Sequence, residues 1–303
     1  MDRKDINSVG IIGCGLMGTG IAEVSALAGL PTVLVKATTG DSGAARDRLA
    51  RSLGSRVDKG KLLAEDMVMA LGRVTVTSDR DALCKTDLVI ESIVEDLERK
   101  RELFRDVAGR VPEATALATN TSTLRISDLL VEGAETRTIG LHFFSPVPAM
   151  SLVELAHLPQ TDSTIVDSAT RYVDRLGKTA VPVLDSTGFV VNRLLVPYLV
   201  GAISAYSQGL ATAAQIDTAM KLGCGHPVGP LALCDLIGLD VVFAMSKLLY
   251  RDFNDSRYRP PPLLRRMVQD SCLGKKTGLG FYDYSTRPPE PNPEIWKLIK
   301  HDA

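Results

Sequence analysis

A glycine-rich segment that follows an apolar run places the strongest constraint on the fold. Val9–Ile12 has the composition of a buried strand, and the next six residues read Gly-Cys-Gly-Leu-Met-Gly at the start of a predicted helix, 18–28. In such a unit Gly13 permits the tight turn, Gly15 lets the backbone approach a pyrophosphate, and Gly18 lets the helix pack closely on the strand. The segment therefore predicts dinucleotide binding, rather than a glycine turn that serves packing alone. The expected cofactor contacts are Gly13, Gly15, Leu16, Met17 and Gly18.

Short apolar runs alternate with amphipathic segments through the first half of the chain. After the first strand, runs of strand length occur at Thr32–Val35, 88–90, 116–118, 138–141 and 181–184. Helical patterns lie between them, for example at 44–59. Alternation of this kind predicts a parallel sheet covered by helices on both faces. We therefore expect residues 1–186 to form an α/β Rossmann-type domain that binds the dinucleotide.

The pattern changes after Asp185-Ser186-Thr187-Gly188. Helical periodicity follows at 189–208, 213–222, 231–249 and 261–268, and the next strand signal comes at 280–284. A chain of 303 residues is long enough for about two domains of ordinary size. Residues 187–303 are therefore predicted to form a second, all-α domain.

Charge and cysteine content argue against several classes of protein. A formal net charge of -1 gives no reason to expect nucleic acid or a membrane surface as a partner. The five cysteines show no C-x-x-C spacing, which fits reduced thiols, and Cys224 and Cys234 lack the clustering with histidine that zinc requires. No apolar core of a signal peptide precedes the first strand. The sequence thus predicts a cytoplasmic protein without a metal site or a membrane span.

The residue after the second predicted strand departs from the usual dinucleotide-binding pattern. An acidic residue about 20 positions beyond the glycines normally binds the ribose hydroxyls, whereas this chain has Lys36 there and its next acid is Asp41. A lysine cannot accept those hydrogen bonds. Lys36 either attracts the additional phosphate of NADP or points to solvent while the ribose is held otherwise. NAD is the expected cofactor, with NADP as the alternative.

A histidine and a carboxylate lie close together in the middle of the chain. His142 precedes a proline-containing turn, and Glu154 lies in the apolar, strand-like run that follows it. Imidazole exchanges protons near neutral pH, and a carboxylate beside it fixes its tautomer and stabilises its charged form. Spacing alone also fits a structural histidine. The pair becomes a candidate for catalysis because the glycine segment would supply a hydride acceptor to the same chain.

Six segments, in order along nearly the whole chain, are similar to motifs of the 3-hydroxyacyl-CoA dehydrogenase family. They are the glycine segment, Asn120-Thr121-Ser122-Thr123-Leu124, Gly140-Leu141-His142-Phe143-Phe144, Leu152-Val153-Glu154, Gly188-Phe189-Val190-Val191-Asn192-Arg193 and Gly274-Lys275-Lys276-Thr277-Gly278-Leu279-Gly280-Phe281-Tyr282. The resemblance implies a dinucleotide-binding domain and a helical domain that forms homodimers. It also implies an NAD(P)-dependent enzyme that oxidises a 3-hydroxyacyl thioester to the 3-oxoacyl form.

The resemblance implies roles for individual residues as well. His142 matches the general base and Glu154 its partner, while Ser122 and Asn192 match polar residues around the reacting oxygen. Ser122 and Asn192 alternatively cap the helices that follow them. The expected cofactor contacts beyond the glycine segment are Lys36, Glu95, Lys100, Ser122 and Ser145. The expected substrate contacts are Ser122, His142, Asn192 and, from a segment resembling the helical excursion that meets CoA, Ser52 and Lys59.

Three positions depart from the family pattern, because Lys36 replaces an aspartate, Ser145 an asparagine and His226 an aromatic residue. These departures resemble a subset of the family from polyketide pathways. Its members oxidise a small acyl group, such as glyceryl, on an acyl carrier protein, and the product feeds hydroxymalonyl- or methoxymalonyl-type extender units. His226 follows a glycine-rich helix break, so it either caps that helix or lines the substrate pocket.

The identity of the acyl carrier stays open, because CoA and an acyl carrier protein both present the acyl group on phosphopantetheine. Either carrier would suit a basic rim formed by Arg51, Arg56, Lys59 and Lys61. Lys36 and Ser145 slightly favour the carrier protein over a 3-hydroxybutyryl-CoA dehydrogenase of fatty-acid metabolism. The joint presence of base, carboxylate and polar pair disfavours a non-catalytic dinucleotide-binding protein. A β-hydroxyacid reductase, which uses a catalytic lysine, is disfavoured because Lys178 and Lys275 lack its surrounding pattern.

Overall fold

The computed structural model of the protein describes residues 5–38 and 43–295. The chain divides between Phe189 and Val190 into two units, close to the boundary predicted after residue 186. The first unit holds one large sheet, and the second is built mainly of helices. In the described part of the chain, no helix is both long enough and apolar enough to cross a membrane.

Eight strands form the sheet of the first unit. They are β1 (Val9–Ile12), β2 (Thr32–Val35), β3 (Val74–Thr77), β4 (Leu88–Glu91), β5 (Ala116–Thr119), β6 (Thr138–Phe143), β7 (Leu152–His157) and β8 (Thr179–Leu184). Their order is β3-β2-β1-β4-β5-β6-β7-β8, and β1 to β6 run parallel. The strand order reverses between β1 and β4, and open α/β sheets bind ligands at the carboxyl ends of such strands. The predicted Rossmann-type fold is therefore confirmed.

One side of the sheet departs from the predicted parallel arrangement. β7 runs antiparallel to β6, and β8 runs parallel to β7. The connection from β6 to β7 spans only residues 144–151, which is too short for the crossover that a parallel pair requires. β3 was also not predicted, because its Val-Thr-Val-Thr pattern is short and only partly apolar.

Helices cover both faces of this sheet. They are α1 (Leu16–Leu27), α2 (Gly43–Asp58), α3 (Ala64–Arg73), α4 (Leu97–Ala108) and α5 (Ser163–Arg175). Successive strand residues point to opposite faces, so Ile11 joins a core with Leu34 on one side, while Ile12 joins a second core with Phe104 on the other. α1 and α2 agree with the predicted helices within a few residues, whereas α3 and α5 were not predicted.

The described part of the second unit is mainly helical. It contains α6 (Val191–Ser207), α7 (Ala213–Cys224), α8 (Pro230–Ile237), α9 (Leu239–Phe253), α10 (Pro262–Gln269) and a hairpin of β9 (Tyr282–Asp283) and β10 (Glu290–Pro291). The single helix predicted at 231–249 is wrong, because Gly238 separates α8 from α9 with a φ of 102°. Glycine adopts a positive φ without steric cost, and a Cβ at this position would also crowd Asp240 and Lys276.

Two buried aspartates hold the segment that follows α10. Asp235, on α8, accepts hydrogen bonds from the backbone N–H groups of Phe281 and Tyr282, each at 2.9 Å. Asp217, on α7, accepts one from the hydroxyl of Tyr282 at 2.7 Å and another from the backbone N–H of Leu231 at 2.8 Å. Buried carboxylates are stable only when such partners replace water. The segment around Phe281 is therefore fastened to two helices of the same unit.

Candidate active site

The glycine segment lies where the carboxyl ends of β1, β2 and β4 meet. The backbone N–H of Gly13 donates to the carbonyl of Val35 at 2.9 Å, and that of Ser92 donates to the carbonyl of Ile12 at 2.8 Å. Gly13 has a φ of 119°, and a Cβ there would lie 2.3 Å from the Ser92 oxygen. A Cβ on Gly18 would lie 1.8 Å from the Gly13 oxygen. Both glycines are therefore required by the turn and by the packing of α1 against it.

Gly15 is not required by packing. A Cβ at this position would meet nothing within 4 Å, and its φ of -71° is open to any residue. Gly15 is the N-cap of α1, whose first turn carries no acidic residue. A helix N-terminus attracts phosphate, and the missing side chain leaves space beside this one. The segment therefore fits the pyrophosphate of a dinucleotide.

A cavity of about 840 Å³ opens at this edge of the sheet. Its lining includes the glycine segment from Gly13 to Met17, Lys36 after β2, Ser92 after β4 and Asn120 after β5. The volume falls in the range of natural ligand sites. Five of the ten predicted cofactor contacts, namely Gly13, Gly15, Leu16, Met17 and Lys36, thus lie together at one cavity. Asp41, the first acid after β2, lies outside the described residues.

His142 and Glu154 form a buried pair on neighbouring strands. They lie directly opposite each other in the antiparallel β6–β7 pair, and Nδ1 of His142 is 2.8 Å from Oε2 of Glu154. Their side chains are 7% and 1% exposed. The rings of Phe144 and Phe189 lie beside the imidazole, with centroids 4.4 and 5.8 Å from its own. Because a carboxylate accepts the Nδ1 proton, Nε2 carries the lone pair that can accept a proton from a ligand.

Asn120 connects the loop after β5 to the strand that carries His142. Its Oδ1 accepts a hydrogen bond from the backbone N–H of Phe143 at 2.9 Å, and its Nδ2 donates to Oγ of Ser92 at 3.3 Å. β5 and β6 are adjacent and parallel, so their carboxyl ends lie at the same edge of the sheet. Ser122, in the same loop as Asn120, follows the end of β5, and His142 lies near the end of β6. No role was predicted for Asn120, although a polar residue directly after a buried strand is a recognisable signal.

Glu95 and Lys100 belong to an ionic network that holds this loop. Lys100 is 1% exposed, and its Nζ donates to Oε1 of Glu91 at 2.6 Å and lies 3.3 Å from Oε2 of Glu95. Glu95 accepts hydrogen bonds from the backbone N–H groups of Ser122 and Thr123, each at 3.1 Å. The network therefore anchors the backbone of the Ser122 loop.

The same network sets the charge of Glu95. Burial would raise the pKa of this carboxyl group, but the Lys100 ammonium and two threonine hydroxyls outweigh burial and hold the pKa below its usual value. Glu95 is thus a stable anion next to the loop. A direct contact of Glu95 or Lys100 with the cofactor stays a prediction.

Glu91 also belongs to this network and was not predicted as a site residue. It ends β4 and is 2% exposed. Its Oε1 also accepts from the backbone N–H of Ile93 at 2.6 Å, and its Oε2 accepts from the hydroxyl of Thr119 at 2.7 Å. An acid at the end of an apolar strand was an available signal, because a buried carboxylate requires a cation or several donors.

Three other predicted contacts lie in different places. Ser52, on α2, donates to Oε2 of the buried Glu23 at 2.5 Å, and Arg56 donates to the other oxygen at 3.0 Å. Lys59 is exposed just after α2, and Ser145 is exposed in the turn between β6 and β7. Ser52 therefore joins α2 to α1. Substrate contacts through Ser52 and Lys59 and a cofactor contact through Ser145 stay predictions.

The capping alternatives for Ser122 and Asn192 are wrong. The only regular structure soon after Ser122 is a short 3₁₀ turn, Ile126–Leu129, with a different residue as its N-cap. The N-cap of α6 is Val190, and Asn192 lies inside the first turn with its side chain buried. Asn192 belongs to the second unit, so its placement near His142 stays a prediction.

His226 lies at the end of α7. The helix ends with Gly225 in the left-handed conformation, and the backbone N–H of His226 points back to the carbonyl of Met220 at 3.5 Å. Nδ1 of His226 and the hydroxyl of Tyr198 are 2.9 Å apart. These contacts favour a structural role at the helix end over a role in a substrate pocket.

Known proteins share this combination of sequence and fold. Residues 8–186 match the family model for the 3-hydroxyacyl-CoA dehydrogenase NAD binding domain, and residues 188–284 match the C-terminal domain. A 3-hydroxybutyryl-CoA dehydrogenase of Mycobacterium tuberculosis is 42% identical over 282 residues, which are 92% of this chain and 99% of the relative. One from Clostridioides difficile is 41% identical over 276 residues, 91% of this chain and 98% of the relative. The crystal structure of (S)-3-hydroxybutyryl-CoA dehydrogenase PaaH1 from Ralstonia eutropha gives a TM-score of 0.88 at 41% identity and covers 93% of this chain and 100% of that one.

A Rossmann-type unit with this glycine segment and a buried histidine–carboxylate pair defines an oxidoreductase that uses a nicotinamide cofactor. The chain belongs to the 3-hydroxyacyl-CoA dehydrogenase family, and its first unit is the NAD-binding domain of that family. The resemblance seen in the sequence motifs is thereby confirmed.

Proposed function

We propose that the protein interconverts a short 3-hydroxyacyl thioester and the corresponding 3-oxoacyl thioester, with CoA as the acyl carrier. The His142–Glu154 pair, at 2.8 Å and shielded from water, is the observation that carries this proposal. The relatives from M. tuberculosis and C. difficile, both 3-hydroxybutyryl-CoA dehydrogenases, support CoA and a small acyl group.

We assign the proton transfer in this proposal to one atom of His142, because Glu154 contacts the other ring nitrogen. Nε2 of neutral His142 takes the hydroxyl proton of the substrate, and Glu154 stabilises the imidazolium that forms. NAD, when bound, would supply the acceptor for the hydride that leaves the carbon bearing this hydroxyl group. In the opposite direction the imidazolium returns its proton to the oxygen of the 3-oxo group. Ser122 and Asn192 are proposed to donate hydrogen bonds to that oxygen as it changes between hydroxyl and carbonyl.

The assay follows the absorbance of reduced nicotinamide with acetoacetyl-CoA, and with NADH or NADPH in separate reactions. We expect rapid loss of the reduced cofactor with wild-type protein and none above background with His142→Ala. No loss with either cofactor, from protein that binds at least one of them, would contradict CoA as the carrier.

Glyceryl on an acyl carrier protein is the second candidate substrate. Its oxidised product would feed hydroxymalonyl- or methoxymalonyl-type extender units of polyketides. Lys36 and Ser145, which replace the aspartate and asparagine of the family pattern, support this candidate. The matched assay supplies glyceryl-acyl carrier protein and NAD or NADP and follows the appearance of reduced cofactor. Turnover of this substrate together with inactivity on acetoacetyl-CoA would select it.

The family resemblance also leads us to propose a homodimer. Light scattering coupled to gel filtration should return twice the mass of the chain. A mass of one chain at micromolar concentration would contradict it.

A further inference from the structure

The end of β2 carries a positive charge beside the glycine segment. The N–H of Gly13 bonds to the carbonyl of Val35, and the N–H of the next residue, Lys36, donates to the carbonyl of Thr77 at 2.8 Å. These bonds fix Lys36 at the position where dinucleotide folds carry the acid that binds the ribose hydroxyls. Lys36 also lines the cavity that contains the glycine segment.

Arg80 supplies a second cation at the same end of the cavity. Its Nη2 donates to the carbonyl of Ala37 at 3.3 Å, and its Nη1 donates to Oδ2 of Asp106 at 2.6 Å. The first bond holds the guanidinium one residue from Lys36, and the second fixes its orientation against α4. Arg80 lines the cavity as well.

The described residues that line this cavity carry more positive than negative charge, and Asp106, which pairs with Arg80, is not one of them. Among the lining residues that the structure describes, Arg99 is a third cation and Glu102 is the one carboxylate. The positive charge of Lys36 acts on Cys14, a residue of the glycine segment. Burial raises the pKa of the Cys14 thiol, and Lys36 and Arg48 oppose that rise.

We propose that Lys36 and Arg80 form a site for the 2′-phosphate of NADP, so that the protein binds NADPH more tightly than NADH. A lysine ammonium cannot accept hydrogen bonds from ribose hydroxyls, whereas ammonium and guanidinium groups donate charge-assisted hydrogen bonds to a phosphate. The inference rests on the proposed function, because it concerns the cofactor of the same site.

Equilibrium binding tests the proposal without turnover. Fluorescence titrations of the full chain with NADPH and with NADH give the two dissociation constants. Because of a charge-assisted phosphate contact, the dissociation constant of NADPH should be lower than that of NADH by a factor of about ten or more. Competition by 2′,5′-ADP and by 5′-ADP should show the same preference, which assigns it to the 2′-phosphate.

Two variants with the same change of charge locate the effect. Lys36→Asp should reverse the preference, because the carboxylate repels the 2′-phosphate and accepts hydrogen bonds from the ribose hydroxyls. Lys85→Asp is the control, because Lys85 is exposed and precedes β4 at the opposite edge of the sheet. The control should keep the wild-type ratio of dissociation constants.

The outcomes separate this inference from the proposed function. Tighter binding of NADH by the wild-type chain would overturn the inference and leave the proposed dehydrogenase intact. An unchanged ratio in Lys36→Asp would overturn the assignment to Lys36. Failure to bind either dinucleotide would contradict the proposed function itself.

Discussion

His142 and Glu154 face each other across β6 and β7, with Nδ1 of the imidazole 2.8 Å from Oε2 of the carboxylate. The contact depends on the register of an antiparallel strand pair. A slip of one residue would turn one of the two side chains to the other face of the sheet. The short connection at 144–151 therefore serves the site directly, because it fixes this register.

Replacement of either member of the pair should affect chemistry rather than cofactor binding. Positioned acid–base groups typically contribute about 10²–10⁴ in rate, so His142→Ala should lower kcat by about 10³ or more and Glu154→Gln by about 10². The dissociation constant of NADH should change little in both variants. Steady-state kinetics and fluorescence titration measure the two quantities.

Asp270→Asn, an exposed change in the second unit, serves as the control for these kinetics. Near-normal turnover by His142→Ala would remove the histidine from its assigned role. A loss of NADH binding equal to the loss of turnover would assign the pair to cofactor binding instead.

Gly15 and Gly18 should respond differently to the same substitution. A Cβ at Gly15 meets nothing within 4 Å, so Gly15→Ala should change the free energy of unfolding by less than about 0.5 kcal/mol. The new methyl group would stand where the pyrophosphate approaches α1. We expect NADH to bind about tenfold more weakly, which corresponds to about 1.4 kcal/mol. Urea denaturation and NADH titration give both values.

Two further alanine variants complete this comparison. A Cβ at Gly72, on α3, would also meet nothing within 4 Å. Gly72→Ala should therefore have little effect on the free energy of unfolding and none on the affinity for NADH. Gly18→Ala would place a Cβ 1.8 Å from the Gly13 oxygen and should destabilise the fold. Unchanged NADH affinity in Gly15→Ala would show that the cofactor does not approach this residue.

Lys100 should matter for stability whatever its part in cofactor binding. Lys100→Met leaves Glu91 and Glu95 without their shared cation, and loss of one partner from a buried ion pair typically lowers stability by about 3–5 kcal/mol. Arg105→Met, an exposed change on the same helix, should remain within about 0.5 kcal/mol of the wild type. Adding Glu91→Gln to Lys100→Met should recover part of the loss. Equal urea midpoints for the Lys100 and Arg105 variants would refute the stabilising role of this network.

The sequence predicted the first unit well because its signals are local. β1 and β2 are short apolar runs, and the glycine segment marks the turn between β1 and α1. Prediction failed where the outcome depends on chain geometry. The antiparallel β7 follows from a short connection, and the break at Gly238 interrupts a pattern that is apolar on both sides.

The site was predicted in part for the same reason. Family motifs pointed to His142 and Glu154, and the structure pairs them. The bond from Asn120 to the N–H of Phe143 and the contact of Glu91 with Lys100 were not predicted. Both join segments that lie apart in the sequence, and their pairing depends on the order of the strands in the sheet.

Asp235 should give the second unit a pH-dependent stability. Burial raises the pKa of this carboxyl group to about 6, from an ordinary value of 3.8, although the N–H groups of Phe281 and Tyr282 oppose the rise. Between these two values the folded chain binds more protons than the unfolded chain, so the free energy of unfolding falls as the pH increases. The group should contribute a decrease of up to about 3 kcal/mol between about pH 4 and pH 6, and little further change above that.

Comparison with Asp235→Asn isolates this contribution from those of other carboxyl groups. The asparagine does not titrate, and its amide would face the N–H of Phe281 or Tyr282, so the variant should be less stable at every pH. The stability difference between wild type and variant, from urea denaturation at pH 4 to pH 7, should shrink as the pH rises. Asp270→Asn, an exposed change after α10, should show a nearly constant difference. A constant difference for Asp235→Asn as well would mean that its hydrogen-bond donors outweigh burial and keep the carboxylate ionised across this range.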